Sequence, residues 1–169
     1  MSTQTAATAD RVLLITGASS GIGAATARRA SADGWRVALA ARSWREMVLT
    51  NVYGAALTLR ATIPALTESK GHLLLTSSVA GRRVLPGSMY SCTKHAVTAM
   101  GEAARQDLHG TGIRVTLIEP GMTDTPFFDN RPSDALEDDD IARAVIYAVS
   151  QPAHVDVNEV LIRPTAQQG

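Results

Sequence analysis

Short apolar runs alternate along the chain with longer stretches in which apolar residues recur every three or four positions. Short runs bounded by glycine or polar residues are typical of buried strands, and the longer spacing is typical of helices. The pattern predicts strands at residues 12–15, 35–41, 72–76, 114–118 and 159–163, and helices at residues 22–32, 44–68, 88–109 and 141–150. Alternating strands and helices predict an α/β fold with a mostly parallel sheet.

Glycine and proline mark the expected ends of these elements. Gly34 is placed to adopt the left-handed conformation after the first helix, and Gly110 or Gly112 closes the third. Pro64 is expected to bend or shorten the far end of the second helix, because proline removes a backbone donor. The sequence Glu119-Pro-Gly121 is expected to stop the fourth strand, and residues 122–136 are polar and irregular.

The composition predicts a single domain over residues 11–169, because 169 residues with 45% hydrophobic and 19% charged residues are ordinary for a globular protein. Sixteen basic residues balance sixteen acidic ones, which argues against nucleic-acid and membrane partners and favours a small or neutral one. The first ten residues lack the features of a signal peptide and are interpreted as a disordered tail. No apolar run is long enough for a membrane span.

Cysteine and acidic residues offer little additional chemistry. Cys92 cannot form an internal disulfide and is interpreted as a small buried residue rather than a nucleophile, which fits a cytoplasmic protein. The acidic run Glu137-Asp-Asp-Asp140 precedes the last predicted helix, where N-capping and the helix dipole explain it better than a metal does. No group of histidines, cysteines and carboxylates has ligand spacing, so we expect no metal.

Tyr90 and Lys94 lie four residues apart and therefore share one face of a predicted helix. A tyrosine with an ordinary pKa near ~10 is almost wholly protonated at neutral pH. An ammonium about 4 Å away could lower that pKa by roughly three units, which would equip the phenol for proton transfer. Taken alone, a Tyr-x-x-x-Lys pair is much more often an exposed aromatic one helical turn from an exposed lysine.

The turn Thr16-Gly-Ala-Ser-Ser-Gly-Ile-Gly23 lies between a predicted strand and a predicted helix, which is the context that a dinucleotide site requires. Gly17 permits a tight turn, Gly21 lets the backbone approach a pyrophosphate, and Gly23 allows close packing. The N-terminus of the helix would then face the anion. A glycine-rich turn that binds no ligand remains the alternative if this motif stands alone.

Five motifs in this order identify a resemblance: Thr16-Gly17-x-x-x-Gly21-x-Gly23, Asn51-Val-Tyr-Gly54, Ser77-Ser-Val-Ala-Gly81, Tyr90-x-x-x-Lys94 and Pro120-Gly-Met-Thr-Asp-Thr125. The chain resembles the short-chain dehydrogenases/reductases from about residue 11 to residue 164. The resemblance implies a Rossmann-like, doubly wound and mostly parallel sheet. It also implies an oxidoreductase that interconverts a carbonyl and a secondary alcohol on a small molecule.

The resemblance assigns catalytic roles to four residues. Tyr90 would be the general acid in carbonyl reduction, with Lys94 lowering its pKa and holding the nicotinamide ribose. Ser78 would hydrogen-bond the substrate oxygen, and the adjacent Ser77 is the alternative for this role. Asn51, in a helix, would hold a water in the proton relay behind Lys94.

The resemblance also implies a nicotinamide cofactor, with Thr125 at the carboxamide and Pro120 and Gly121 shaping that wall. The full set of expected cofactor-binding residues is Gly17, Ser19, Ser20, Gly21, Ile22, Gly23, Arg42, Tyr90, Lys94, Pro120, Gly121, Thr123 and Thr125. Arg42 follows the second strand, where an acid would favour a free 2′-hydroxyl and an arginine can bind a 2′-phosphate. We therefore predict NADP(H) rather than NAD(H).

The chain departs from the family pattern between Ser43 and Trp44, where two strand-helix units are absent. The third and fourth strands of the family are therefore missing. The fourth strand normally lies between the first strand and the strand that carries Ser78, so its loss would leave a gap of roughly 10 Å. We expect the Rossmann-like halves to persist and the cofactor site to be weakened.

Two functions follow from this reading. The first is an NADP-dependent reductase or alcohol dehydrogenase that forms a homodimer or homotetramer and retains the four reactive residues. The second is a catalytically impaired deletion variant, in which the helices that begin near Trp44 and Ser88 form a dimerising interaction module. The substrate is not identified, although Phe127 and Phe128 in the segment after Pro120 are the apolar candidates for contacting it.

Overall fold

The computed structural model describes residues 12–15, 21–38, 44–85, 88–126 and 132–167. Its strands are β1 (Val12–Leu14), β2 (Arg36–Ala38), β3 (His72–Thr76), β4 (Arg114–Pro120) and β5 (Glu159–Ile162). Its helices are α1 (Gly21–Ala32), α2 (Trp44–Val48), α3 (Ala55–Ser69), α4 (Met89–Asp107) and α5 (Asp138–Val149). A π-helical segment (Leu49–Gly54) joins α2 to α3, and a short 3₁₀ turn (Val79–Gly81) follows β3.

The described strands form two separate parallel sheets. One sheet contains β1 and β2, and the other has the order β3-β4-β5. Side chains alternate between the two faces of the larger sheet, as the period of two in a strand requires. Leu73, Leu75 and Leu117 face α3 and α4, whereas Leu74 and Ile118 pack with the residues of α1 and α5. Helices on both faces confirm the predicted Rossmann-like α/β fold in truncated form.

A cavity of about 710 Å³ lies between β1 and β3. Its walls include residues from both faces of the sheet, with Val12 and Leu13 on β1 opposite the stretch 72–75 on β3. The cavity therefore lies in the plane of the sheet and not only above or below it. This agrees with the gap predicted between the first strand and the His72 strand.

The two sheets are joined mainly by the contact between α1 and α5. Arg29 donates to Asp139 from Nε at 2.8 Å and from Nη2 at 2.7 Å, and Arg28 lies 3.4 Å from Asp138. The backbone nitrogen of Glu137 donates to Asp140 Oδ2 at 2.9 Å. Glu137 thus caps α5, as the N-capping interpretation predicted. Asp138, Asp139 and Asp140 form the first turn of the helix, which therefore begins three residues before the expected start.

The predicted elements are all present, with differences at their ends. The helix from Trp44 widens at the π-helical segment and continues to Ser69, so Pro64 does not shorten it as expected. Pro64 is exposed and has no N–H to donate to the carbonyl four residues before it. That carbonyl can instead bind water, so the helix continues. Strand β4 continues through Pro120 because Ile162 on β5 pairs with it. Gly34, Gly110 and Gly112 adopt the positive φ expected at helix ends.

Cys92 is exposed, so its interpretation as a buried residue is wrong. Its neighbours Ser91 and Thr93 occupy the buried side of α4, and the residue between them points outward. No helix among the residues described here is both long enough and apolar enough to span a membrane. The predicted tail, the glycine-turn residues Gly17, Ser19 and Ser20, the cofactor candidate Arg42 and the substrate candidates Phe127 and Phe128 lie outside the described residues.

Candidate active site

The candidate site is built where β3 and β4 end, beside the first turns of α4. Ser78 follows β3 in an extended conformation and caps the 3₁₀ turn, with its Oγ accepting from the backbone nitrogen of Ala80 at 3.1 Å. The same Oγ donates to the carbonyl of Pro120 at 3.3 Å. Because β3 and β4 are parallel neighbours, their carboxyl ends meet at one edge of the sheet and hold Ser78 there.

Helix α4 places Tyr90 and Lys94 beside Ser78. The helix begins after Ser88, whose Oγ accepts from the backbone nitrogen of Ser91 at 3.2 Å. The phenol of Tyr90 lies within hydrogen-bonding reach of the Ser78 hydroxyl. Lys94 Nζ donates to the carbonyl of Thr76 at 2.7 Å and lies 5.5 Å from the centre of the Tyr90 ring. The structure thus brings together three of the four predicted catalytic side chains.

Ser77, the alternative to Ser78, points in a different direction. Its Oγ lies 2.7 Å from Thr98 Oγ1 and 3.1 Å from the carbonyl oxygen of Lys94. It therefore contacts the body of α4, whereas Ser78 contacts the phenol of Tyr90. The two adjacent serines alternate in direction because the chain is extended here.

The ionisation of the pair differs from the sequence prediction. Burial raises the pKa of the Tyr90 phenol, and the hydrogen bond from Ser78 only opposes this shift. The expected lowering by Lys94 is therefore wrong for this structure, in which the ammonium is directed at the Thr76 carbonyl. Burial also lowers the pKa of Lys94 to about 8, so this side chain is still mostly protonated at neutral pH. Tyr90 thus holds its proton at neutral pH beside a buried cation.

Asn51 is connected to the site through the hydroxyl of Thr93. Its Nδ2 donates to Thr93 Oγ1 at 3.2 Å, and this Oγ1 donates to the carbonyl of Tyr90 at 2.9 Å. Asn51 lies in the π-helical segment, a wider turn that is frequent at functional sites. The link places Asn51 against α4 at Thr93, one residue before Lys94, the residue behind which its relay role was predicted.

The glycine turn lies against the loop that follows β4. Gly21 has a φ of +54°, a conformation that favours glycine, and a Cβ built there would lie 2.6 Å from Thr125 Cβ. Gly23 is buried and Ile22 half-buried in the first turn of α1. Thr125 fills the space that a side chain at residue 21 would need, so the loop after β4 packs directly on the N-terminus of α1. Gly21 and Thr125, predicted to contact the pyrophosphate and the nicotinamide carboxamide of one cofactor, are thus neighbours.

The loop after β4 is itself well fixed. Thr123 Oγ1 donates to the carbonyl of Gly121 at 3.1 Å, and the backbone nitrogen of Asp124 donates to the carbonyl of Leu136 at 2.8 Å. The nitrogen of Met122 donates to the side chain of Gln167 at 2.8 Å. These bonds hold Pro120 and Gly121 at the edge of the site. Over the described part of the chain, no group of three or more side chains could hold a metal ion.

Three residues of the site were not found from the sequence: Thr93, which links Asn51 to α4, and the ion pair of the buried Glu119 with the exposed Arg82. Thr93 gave no distinctive signal in an alanine- and threonine-containing helix. Glu119 did give a signal, because it is the one acid of its strand and follows the apolar residues Leu117 and Ile118, and a buried acid needs a partner.

The fold and the site together define a Rossmann-like α/β protein with a tyrosine-lysine pair at the carboxyl edge of its sheet. The model of the family described as short chain dehydrogenase matches residues 38–136, more than half of the chain. The chain therefore belongs to the short-chain dehydrogenase family, as the resemblance predicted.

Relatives and solved structures agree with this assignment. An uncharacterised oxidoreductase of Staphylococcus saprophyticus is 41% identical over 127 residues, which cover 72% of this chain and 54% of that protein. The chain thus spans about half the length of the curated relatives that it matches.

Among solved structures, serine dehydrogenase complexed with NADP⁺ has a TM-score of 0.80 at 23% identity, covering 94% of this chain and 96% of the other. A metagenomic short-chain oxidoreductase in complex with NADP has a TM-score of 0.75 at 26% identity, covering 92% of this chain and 97% of the other.

Proposed function

We propose that the chain is an NADP-dependent oxidoreductase that interconverts a carbonyl and a secondary alcohol on a small molecule. The observation that carries the proposal is the placement of the Ser78 hydroxyl and the Tyr90 phenol within reach of one another, beside the ammonium of Lys94 that lies 5.5 Å from the Tyr90 ring. A neutral phenol and a serine hydroxyl that lie side by side can both donate to a single carbonyl oxygen once the Ser78 proton turns from the Pro120 carbonyl toward that oxygen. Such a pair can bind the oxygen and give it a proton.

The proton chemistry follows from the charges in the site. Burial keeps the Tyr90 phenol protonated, so it acts as the acid when the carbonyl oxygen gains negative charge. The ammonium of Lys94 then stabilises the tyrosinate that forms, because opposite charges attract strongly in a buried site. Asn51 and Thr93 hold the backbone of α4 at Tyr90, which fixes the direction of the phenol.

The cofactor that fits these residues is NADP(H), which when bound would supply or accept the hydride. Gly21 and the N-terminus of α1 suit its pyrophosphate, and Thr125 lies beside that glycine. Arg42 would bind the 2′-phosphate. The NADP bound in two similar solved structures supports the same choice.

Isothermal titration tests the cofactor proposal. We expect NADPH to bind about tenfold more tightly than NADH, because a charge-assisted arginine-phosphate pair is lost with NADH. We also expect the NADPH dissociation constant to exceed the micromolar range, because the block missing after Ser43 normally lines the cleft. Arg42→Ala should remove the preference, while Arg45→Ala, an exposed arginine on α2, should preserve it. Equal affinities for the two nucleotides in the unmodified chain would contradict the assignment of Arg42.

A second candidate function, a dimerising interaction module, is favoured by the exposed outer side of α2, the π-helical segment and α3. The exposed apolar side chains there are Val48, Leu49, Tyr53 and Leu57. Of the fifteen residues of α3, Ala55 is the one buried within the chain. A continuous apolar surface of this kind is typical of a protein interface, and a second copy of the chain is the partner that we propose. A homodimer or homotetramer in the cytoplasm is compatible with both functions.

Light scattering tests this surface. We expect the chain to be dimeric or larger at micromolar concentration, and the double variant Tyr53→Glu with Leu57→Glu to be monomeric, because two carboxylates would be buried without partners. The matched control is Tyr147→Glu, since Tyr147 on α5 has the same 58% exposure as Tyr53. A strictly monomeric unmodified chain would remove the interaction-module proposal.

A further inference from the structure

A buried carboxylate lies directly behind the candidate active site. Glu119 is 1% exposed at the end of β4, which runs between β3 and β5. Arg82 Nε donates to both of its oxygens, at 2.8 and 2.9 Å, and the same guanidinium also pairs with Glu159 on β5. Burying a charge is unfavourable unless it is paired, and an ion pair whose arginine is 37% exposed adds little stability beyond that compensation. The pair therefore calls for an explanation other than stability.

Two hydroxyls connect this carboxylate to α4. Thr98 Oγ1 lies 3.4 Å from Glu119 Oε1, and Ser77 Oγ lies 2.7 Å from Thr98 Oγ1 and 3.1 Å from the carbonyl of Lys94. An ionised carboxylate can only accept, so Thr98 gives its single proton to Glu119. Ser77 then has to share its single proton between Thr98 Oγ1 and the Lys94 carbonyl, because both of these can only accept from it. The charge of Glu119 thus sets the direction of the Thr98 hydroxyl and, through it, that of the Ser77 hydroxyl.

The hydroxyls of Ser77 and Thr98 are tightly packed against Gly81. A Cβ built on Gly81 would lie 2.5 Å from Ser77 Oγ, 2.7 Å from Thr98 Oγ1 and 2.8 Å from the carbonyl oxygen of Lys94. The 3₁₀ turn therefore packs directly onto the hydroxyls. Arg82 follows this turn, so the ion pair also fixes where the turn ends.

The hydrogen bonds of Glu119, Thr98 and Ser77 reach the backbone beside the reactive side chains and not their reactive atoms. Ser77 precedes Ser78, the carbonyl of Lys94 accepts from Ser77, and Glu119 precedes Pro120, whose carbonyl accepts from Ser78. Each bond fixes the backbone of a residue that carries, or is adjacent to, a reactive group. A small displacement of these backbones would separate the Ser78 and Tyr90 hydroxyls.

We propose that Glu119 is a positioning residue: paired with Arg82, it orients Thr98 and Ser77 and thereby holds the Ser78 and Tyr90 hydroxyls together. The catalytic part of this inference rests on the proposed oxidoreductase function, whereas the geometric part does not. The test therefore combines turnover with a readout that needs no substrate.

The substrate-free readout is the ¹³C resonance of the tyrosine carbon that carries the hydroxyl. The chain has three tyrosines, so a Tyr90→Phe sample assigns the Tyr90 signal. We expect Glu119→Gln to displace this signal, because the neutral amide no longer fixes the direction of the hydroxyls. We expect Glu119→Gln also to lower kcat by about 10- to 100-fold, the scale of a small misplacement of reacting groups. KM for the carbonyl compound should stay within about threefold.

The matched control is Glu159→Gln, which removes the more exposed partner of Arg82 and leaves the buried one in place. It should leave both the Tyr90 resonance and kcat unchanged. Thr98→Val serves as a second variant if Glu119→Gln does not fold, because it cuts the hydroxyl chain and preserves the ion pair. It should displace the resonance in the same direction.

Two results would overturn the inference. One is an unmoved Tyr90 resonance in folded Glu119→Gln or Thr98→Val protein. The other is an equal displacement in Glu159→Gln. If the unmodified chain consumes no NADPH with any carbonyl compound, the proposed function fails, and the resonance alone then decides whether Glu119 positions the two hydroxyls.

Discussion

A Tyr90→Phe variant is expected to lose about 10²- to 10⁴-fold in carbonyl-dependent NADPH consumption, the range that a positioned general acid contributes. Phenylalanine keeps the ring that lies beside Lys94 and removes only the hydroxyl that is bonded to Ser78. The loss should fall on kcat more than on KM, because proton transfer takes place in the transition state. The measurement is NADPH consumption with a panel of small ketones and aldehydes.

The control for this variant is Tyr53→Phe, which removes a hydroxyl from an exposed ring on the π-helical segment. It should consume NADPH at the rate of the unmodified chain. Isothermal titration of the Tyr90→Phe variant with NADPH shows whether a fall in turnover comes from slower proton transfer or from weaker cofactor binding. Equal turnover by the unmodified chain and by Tyr90→Phe would reject the enzyme assignment.

Leu117→Ala is expected to lower the free energy of unfolding by about 2–5 kcal/mol, the range measured for large-to-small changes in packed cores. Leu117 is fully buried in the middle of β4, and its side chain packs against Gly101 of α4. A Cβ built on that glycine would lie 2.6 Å from Leu117 Cδ2, so helix and strand are in direct contact there. Alanine would leave a cavity between β4 and Gly101 of α4.

Urea unfolding measures this effect, with Leu161→Ala on the adjacent strand as the control. Leu161 is 52% exposed, so its truncation should change the free energy of unfolding by about 0.5 kcal/mol or less. The midpoint for Leu117→Ala should fall with little change in the denaturant slope. A similar loss in both variants would mean that β4 is not the centre of the core.

The sequence predicted the fold well because its signals are local. Apolar runs such as Leu73–Leu75 and glycines such as Gly34 determine strands and helix ends without reference to the rest of the chain. The boundaries moved where tertiary contacts extend an element, as β5 extends β4 through Pro120. Cys92 was misjudged because composition does not reveal which side of α4 a residue occupies.

The residues of the site were also predictable, whereas their ionisation was not. The spacing of Tyr90 and Lys94 on a helix placed them together, and the structure does the same. The direction of the Tyr90 pKa depends on burial and on where the Lys94 ammonium points, and neither is visible in the spacing. The bonds of Glu119 join residues from β3, β4 and α4, so only the folded arrangement reveals them.

The separation of β1 and β2 from the other strands affects how the molecule resists unfolding. In a continuous sheet, cross-strand hydrogen bonds couple the unfolding of neighbouring strands. Here no such bonds join the described strands β1 and β3, because the two strands belong to separate sheets. Cooperativity between the two parts therefore rests on side-chain packing, namely the helix pair α1 and α5 with its Arg29–Asp139 ion pair and the core that Leu13 and Ile15 share with Ile118. We expect the amino-terminal part to open locally, so that its amide protons exchange with solvent before those of β4 in a hydrogen-exchange measurement.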